Sequence, residues 1–381
     1  MSVRPTADAS PPGDRPAPPV ARGTNDRPYP PLLSSAVPPA APPFPASQAT
    51  EQQNAEQQNA EQRTARIGTA FGVCSATLYT LANAALRDVS RPDDLDWSLW
   101  VTLCKALPVA LLAWGLVAER AVRGQRALPP RATWPRLIAV GVLAQLGGNL
   151  MFQEALGVLG LALAVPATFT GIILTGAALG WLALGEPVDA RRAASIGLLI
   201  AATTALGFAA PDAAEAVVGA ATEPWRVALA VATALAAGCS YGTLGVVIRK
   251  TAGEGIGVAG TLAPISAAGV ASLAAFLWLR TGASDTAAWA DTPSEDRLPL
   301  LIAGVANAAA FFCIAAALRR IPVVRANLLN ASQAAMAGVV GVVVFQEPPT
   351  LWLLTGAGLT IAGLALLGLR EAPPPSRAAN G

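Results

Sequence analysis

Leu184-Gly185-Glu186-Pro187-Val188 and Phe345-Gln346-Glu347-Pro348-Pro349 are two copies of one phrase. Each follows an apolar run, but only the first is followed by Arg191-Arg192. Glu186 and Glu347 stand 161 residues apart, and so do Gly180 and Gly341, Gly197 and Gly358, and Gly207 and Gly368. A second echo joins Tyr79 and Arg87 to Tyr241 and Arg249, with the same internal spacing of eight and an offset of 162. One small gap reconciles the two offsets. Self-similarity at a fixed offset is the mark of a repeated structural unit, so the chain reads as one unit written twice.

The composition says where that unit lives. Of 381 residues, 53% are hydrophobic and only 13% charged, with a mean hydropathy of +0.48. Soluble domains carry about 25% charged residues, so the deficit indicates an integral membrane protein. The net charge of +2 gives no sign of a nucleic-acid partner. Histidine is absent, which removes the commonest metal ligand and general base; neither a metal nor a cofactor is expected. Cys74, Cys104, Cys239 and Cys313 all fall inside apolar runs and read as small packing residues rather than disulfide or zinc positions.

Residues 1–65 differ from the rest. Proline is frequent up to Pro45, and then Glu-Gln-Gln-Asn-Ala runs from Glu51 to Ala55 and again from Glu56 to Ala60. Such a segment buries little apolar surface, so a disordered tail is expected. No apolar stretch follows the first basic residues, so it does not read as a signal peptide. From Ile67 onward, ten apolar blocks of about membrane-spanning length follow: 67–87, 97–118, 134–156, 161–184, 191–210, 226–248, 256–279, 298–318, 322–345 and 350–369. The expected fold is all-α and integral to the membrane. Two five-helix repeats occupy 66–210 and 226–370, joined by an outer linker 211–225 and followed by a tail 371–381.

Charge then sets the orientation. With the N-terminus inside, Arg120, Arg123, Arg126, Arg131, Arg136, Arg191, Arg192, Arg249, Lys250, Arg319 and Arg320 all fall on the inner side. Outer segments hold only Arg87, Arg91, Arg226, Arg280 and Arg297, among many acids. The positive-inside rule therefore places both termini in the cytoplasm of a plasma (inner) membrane protein. Five is odd, so the second repeat enters the membrane inverted. Glu186 then lies inside, where Arg191 and Arg192 belong, and Glu347 lies outside, where such a pair would disturb topology. Inverted repeats around a midplane site are a recurring plan of secondary transporters. Each Glu-Pro has a structural reading, as a turn opening helix five or ten with a carboxylate near the positive helix end. Its functional reading is gating or ion pairing.

Two strings carry a family resemblance. The first runs from Met151 to Gly207, with Glu154-Ala155-Leu156, Pro166, Leu184-Gly185-Glu186-Pro187 and Ile196-Gly197. The second runs from Phe311 to Gly368, with Ala317-Leu318, Gln346-Glu347-Pro348 and Gly356-Ala357-Gly358. Together they resemble paired EamA domains of the drug/metabolite transporter superfamily, over about residues 66–370. The resemblance implies a two-fold bundle around a central cavity lined by helices one, three, four, six, eight and nine. It places helix two at the periphery. Where the family often has proline in mid helix nine, this chain reads Leu329-Asn330-Ala331-Ser332-Gln333-Ala334.

Polar side chains are costly in lipid and mark the bundle interior. Tyr79 and Asn83 continue a four-residue step from Ser75 on helix one, and Gln145, Asn149 and Gln153 keep that step on helix three. Steps of four share a helix face, so the stripes either line a cavity or bond helix to helix. Tyr241, Asn307, Asn330 and Gln333 supply similar groups in the second half. Lys105 lies well inside helix two, where it meets an anion or snorkels to the headgroups. Glu154, near the outer end of helix three, is the candidate for proton coupling or for binding an amine. The expected function is export of a small neutral or zwitterionic metabolite, amino acid or drug by alternating access, without catalysis. A nucleotide-sugar or lipid-linked cargo, or a non-transporting membrane partner, is the alternative. The expected partners are a small-molecule substrate, the lipid bilayer and a second copy in a homodimer.

Overall fold

The computed structural model describes residues 46–184, 190–218, 223–282, 291–321 and 323–368. Glu186, with the first Glu-Pro turn, lies outside the described residues, as do the tail before Ala46 and the residues after Gly368. The chain divides into two units, Met1–Ala55 and Glu56–Gly381; every contact given below belongs to the second.

Among the described residues the secondary structure is helical throughout. The helices are α1 (Ala46–Asp88), α2 (Leu95–Val122), α3 (Trp134–Val142), α4 (Met151–Leu184), α5 (Ala190–Val218), α6 (Pro224–Gly253), α7 (Val258–Thr281), α8 (Ser294–Leu318), α9 (Val323–Val344) and α10 (Leu351–Gly368). The expectation of disorder up to residue 65 is corrected by α1, which is already helical from Ala46. Glu, Gln and Ala are strong helix formers, and the pentapeptide repeat contains neither Gly nor Pro. Residues 56–64 are exposed, so propensity rather than burial shapes that stretch.

Seven helical stretches of the described residues are long and apolar enough to cross a bilayer. One of them covers 46 residues, from Arg131 to Gly176. As a single rod it would measure about 69 Å, more than twice a hydrocarbon core of about 30 Å. Two irregularities interrupt it. A π-helical segment, Leu143–Leu150, joins α3 to α4. Within α4, Gly160 takes φ 73° and ψ 179°, a left-handed conformation that ends one rod and starts the next at Leu161.

Glycine sets how closely the rods approach. Gly238 and Gly242 on α6 face Gly171 and Ile172 on α4. A methyl at Gly238 would stand 2.0 Å from the Thr168 carbonyl oxygen, and one at Gly171 would stand 2.2 Å from that of Leu235. Small residues at four-residue spacing let backbones meet where lipid supplies no hydrophobic drive between helices. Similarly Gly141 of α3 packs on the Ile265 carbonyl of α7, and Gly304 of α8 packs on the Cys104 carbonyl of α2. Further packing joins α2 with α7, α5 with α10, and α4 with α9.

One end of the bundle is knit by ion pairs. Arg91 meets Asp296 at 2.6 Å, Arg226 meets Asp93, and Arg280 meets Asp96. The short α1–α2 connection thus ties to the ends of α6, α7 and α8. Arg91, Arg226 and Arg280, three of the basic residues that charge counting assigns to the outer side, are paired here with acids.

Candidate functional site

A cavity of about 320 Å³ lies within the bundle, at the low end of small-molecule pockets. Its walls are mainly apolar, with Val109, Phe152, Phe169, Ile172, Ile265 and Phe311 among them. Polar groups converge on one part of it. The Asn149 Oδ1 accepts from Lys105 Nζ at 2.7 Å and from the Tyr241 hydroxyl at 2.6 Å. Asn149 Nδ2 donates to Gln145 Oε1 at 2.6 Å. Lys105 is only 5% exposed, and its ammonium lies 5.6 Å from the centre of the Phe152 ring. Across the cavity, Asn330 Oδ1 accepts from Gln333 at 2.7 Å and from Ser75 at 3.3 Å.

Tyr79, Asn83, Lys105, Gln145, Asn149, Tyr241, Asn307, Asn330 and Gln333 all line the cavity. Gln153 does not: it is 2% exposed and donates to the Leu86 carbonyl at 3.4 Å. The stripe breaks because Gln145 and Asn149 sit in the π-helical segment and Gln153 in α4. A change of helical pitch rotates everything downstream, so a constant step of four no longer holds one face. Glu154 is also off the cavity, beside Ser98, Asp93 and Asp94 at the start of α2. Lys105 corrects the expectation that helix two is peripheral: α2 reaches the cavity through Lys105 and Val109. Arg249, assigned to an inner loop by charge counting, lines the cavity as well.

Glu347 lies between α9 and α10, and its carboxylate serves a different helix. The α10 N-terminus is capped by Thr350, whose hydroxyl accepts from Leu353 N–H at 3.2 Å. Glu347, 4% exposed, instead accepts from the main-chain N–H groups of Leu161 and Ala162, each at 2.7 Å. Those are the first amides after the Gly160 break. A carboxylate there satisfies orphan donors and meets the positive end of the helix dipole. Arg87 completes the arrangement, donating from Nε to the same carboxylate at 3.3 Å. Gly160 is required twice here: by its φ, and because a methyl would stand 2.4 Å from Glu347 Oε1. The signal that could have found Arg87 was in the sequence, as the Tyr79–Arg87 and Tyr241–Arg249 echo.

Comparison with known proteins finds a similarity over part of the chain. Residues 228–369 match the sequence model of the EamA-like transporter family. Over these residues the chain is EamA-like. The EamA-like segment spans nearly all of α6 to α10. It contains Tyr241, Asn307, Asn330, Gln333 and Glu347, whereas Tyr79, Lys105 and Asn149 lie before it. A solved crystal structure, described only as that of a protein, has a similar fold. Its TM-score is 0.53 at 15% identity, covering 78% of this chain and 94% of that one. No curated protein matches the sequence. The seven long apolar helices among the described residues mark a multi-pass membrane protein, and residues 228–369 are similar to a transporter family.

Proposed function

We propose that the chain is a secondary transporter that carries a small polar organic solute across the plasma membrane by alternating access, in the export direction. On this reading the Gly160 break and the shorter apolar helices bring the crossings to ten. They form two inverted repeats, 66–210 and 226–370, with both termini in the cytoplasm. The observation that carries the reading is the cavity itself. A bundle that is otherwise apolar gathers amides, two tyrosines and a lysine around one cavity, from elements of both halves.

The packing supports the two-fold plan. The contact of Gly141 with Ile265 has a counterpart in that of Gly304 with Cys104. Its partners are 163 and 161 residues away in sequence, close to the offsets of the Glu-Pro and Tyr–Arg echoes. Arg87, Glu347 and the start of the second α4 rod are bound together at one end, while the cavity lining includes Arg249. On the proposed topology we read this as an inward-facing state. A nucleotide-sugar or lipid-linked cargo is less well served, since only Lys105 and Arg249 among the described lining residues are basic. The site is read as binding and release, without catalysis.

Reconstitution tests this. Purified full-length protein in liposomes, preloaded in turn with unlabelled amino acids and organic acids, is expected to accumulate the matching labelled solute by counterflow. Uptake no greater than in protein-free liposomes across the whole panel would remove the transport reading and favour a non-transporting membrane partner.

A further inference from the structure

We infer that Lys105 is the anchor for a carboxylate on the solute, so that the cargo is a small organic acid or amino acid with one carboxylate head and an apolar body. The inference rests on the cavity being the transport site, and narrows its substrate class.

The first observation is the lysine's isolation from acid. Lys105 is 5% exposed. Among the described residues its ammonium bonds only the neutral Asn149 oxygen, and no Asp or Glu lines the cavity. A buried charge is costly unless it is paired and hydrogen-bonded. An ammonium has three donors, and Asn149 takes one. The cavity is thus built to hold a cation whose counter-ion the described protein does not supply.

The second observation is that the lysine is positioned. Asn149 is fixed by three hydrogen bonds, to Lys105, Tyr241 and Gln145. It accepts from Lys105 rather than neutralising it. The Phe152 ring backs the ammonium from another side. This holds a long, flexible side chain in one place at the cavity wall, and a charge-assisted bond to a carboxylate is the strong interaction available to it.

The third observation concerns the rest of the cargo. The remaining wall is largely aliphatic and aromatic, and the volume is about 320 Å³. Asn83 and Asn307 line it and bond no described protein group, which leaves them for a second polar group such as an amine. A phosphate dianion would call for more cationic donors than one ammonium at this wall. A single carboxylate matches it in charge.

The test exploits the sequence. The chain has only two lysines, Lys105 and Lys250, and Lys250 is exposed at the end of α6. In full-length Lys250→Arg protein, reductive methylation with formaldehyde and cyanoborohydride reports the Lys105 amine by peptide mass spectrometry. Three probes share one apolar body: 3-phenylpropionate, its amide and the corresponding amine. At tenfold its dissociation constant a competing ligand slows labelling roughly tenfold. The expected result is such protection by the carboxylate alone. Asn149→Asp, which supplies an internal carboxylate to Lys105, should abolish it. Equal protection by the amide or the amine overturns the inference, as does stronger protection by phenyl phosphate, or none by any probe. The two readings fail separately. Protection without counterflow in liposomes removes the transport reading and leaves the anion site. Counterflow of uncharged or cationic solutes without protection removes the anion site and leaves transport.

Discussion

The carboxylate of Glu347 accepts the main-chain N–H of Leu161 at 2.7 Å, across 186 residues of sequence. The turn before α10 thereby caps the rod that begins at Gly160, and Arg87 neutralises the pair from α1. Three elements that are remote in sequence are fixed at one buried carboxylate. Glu347→Ala strands two buried amides and the Arg87 guanidinium. It should lower stability by about 2–4 kcal/mol, read as a fall in thermal midpoint in detergent. Arg87→Ala should cost less, because both amide bonds survive. The double variant should resemble Glu347→Ala alone; additive losses would show that the arginine acts elsewhere.

Glycines at the α4–α6 contact should tolerate no methyl. Gly238→Ala and Gly171→Ala would place Cβ within 2.0 and 2.2 Å of backbone carbonyl oxygens. Backbone cannot yield as a side chain can, so each is expected to cost about 1–3 kcal/mol or more. Gly115→Ala, with nothing within 4 Å, is the control. It should be neutral or stabilising by up to about 1 kcal/mol through helix propensity. Fluorescence-detected size exclusion after a heating series separates the two groups.

Gln346 takes φ 57°, and Glu347 N–H bonds the Gly341 carbonyl at 3.0 Å, which closes α9 with a left-handed residue. The first repeat places Gly185 at the matching position. Gln346→Gly should therefore raise stability by about 1 kcal/mol. The same thermal assay checks it, and a loss of stability would mean that the Gln346 bond to the Val343 carbonyl outweighs the backbone strain.

Asn149 should matter to folding as well as to binding. Asn149→Ala leaves Lys105 and Tyr241 without their acceptor, at a cost of about 1–3 kcal/mol. Asn149→Asp keeps both bonds, and Gln145 can turn its amide to donate. Asn149→Asp is thus expected to stay near wild type in thermal midpoint while losing transport. Full transport by Asn149→Asp would contradict the place of this cluster in the solute path.

The apolar blocks and the Glu-Pro echo made the helical order legible, because burial in lipid writes itself directly into composition. What stayed hidden depended on register or on distant partners. Gln153 was placed on the cavity because a step of four assumes one helical pitch, and the π-helical segment changes it. Helix two was placed at the periphery by the family resemblance, although the chemistry of Lys105 already offered an anion partner. Glu347 was assigned to its own helix because a local reading cannot see an amide 186 residues away. The helix from Ala46 was missed because low complexity was weighed above the helix propensity of Glu, Gln and Ala.

Alternating access requires one cavity to open to both sides of the membrane in turn. Ala144 lines the cavity and is 2% exposed. Ala144→Cys can be placed as a lone thiol in protein whose Cys74, Cys104, Cys239 and Cys313 are replaced by alanine. The measurement is modification of that thiol by a membrane-impermeant maleimide, in right-side-out and in inside-out vesicles. Reaction from both sides is expected, with rates that shift in opposite directions when a transported solute is added. Reaction from one side only, in folded protein, would contradict alternating access.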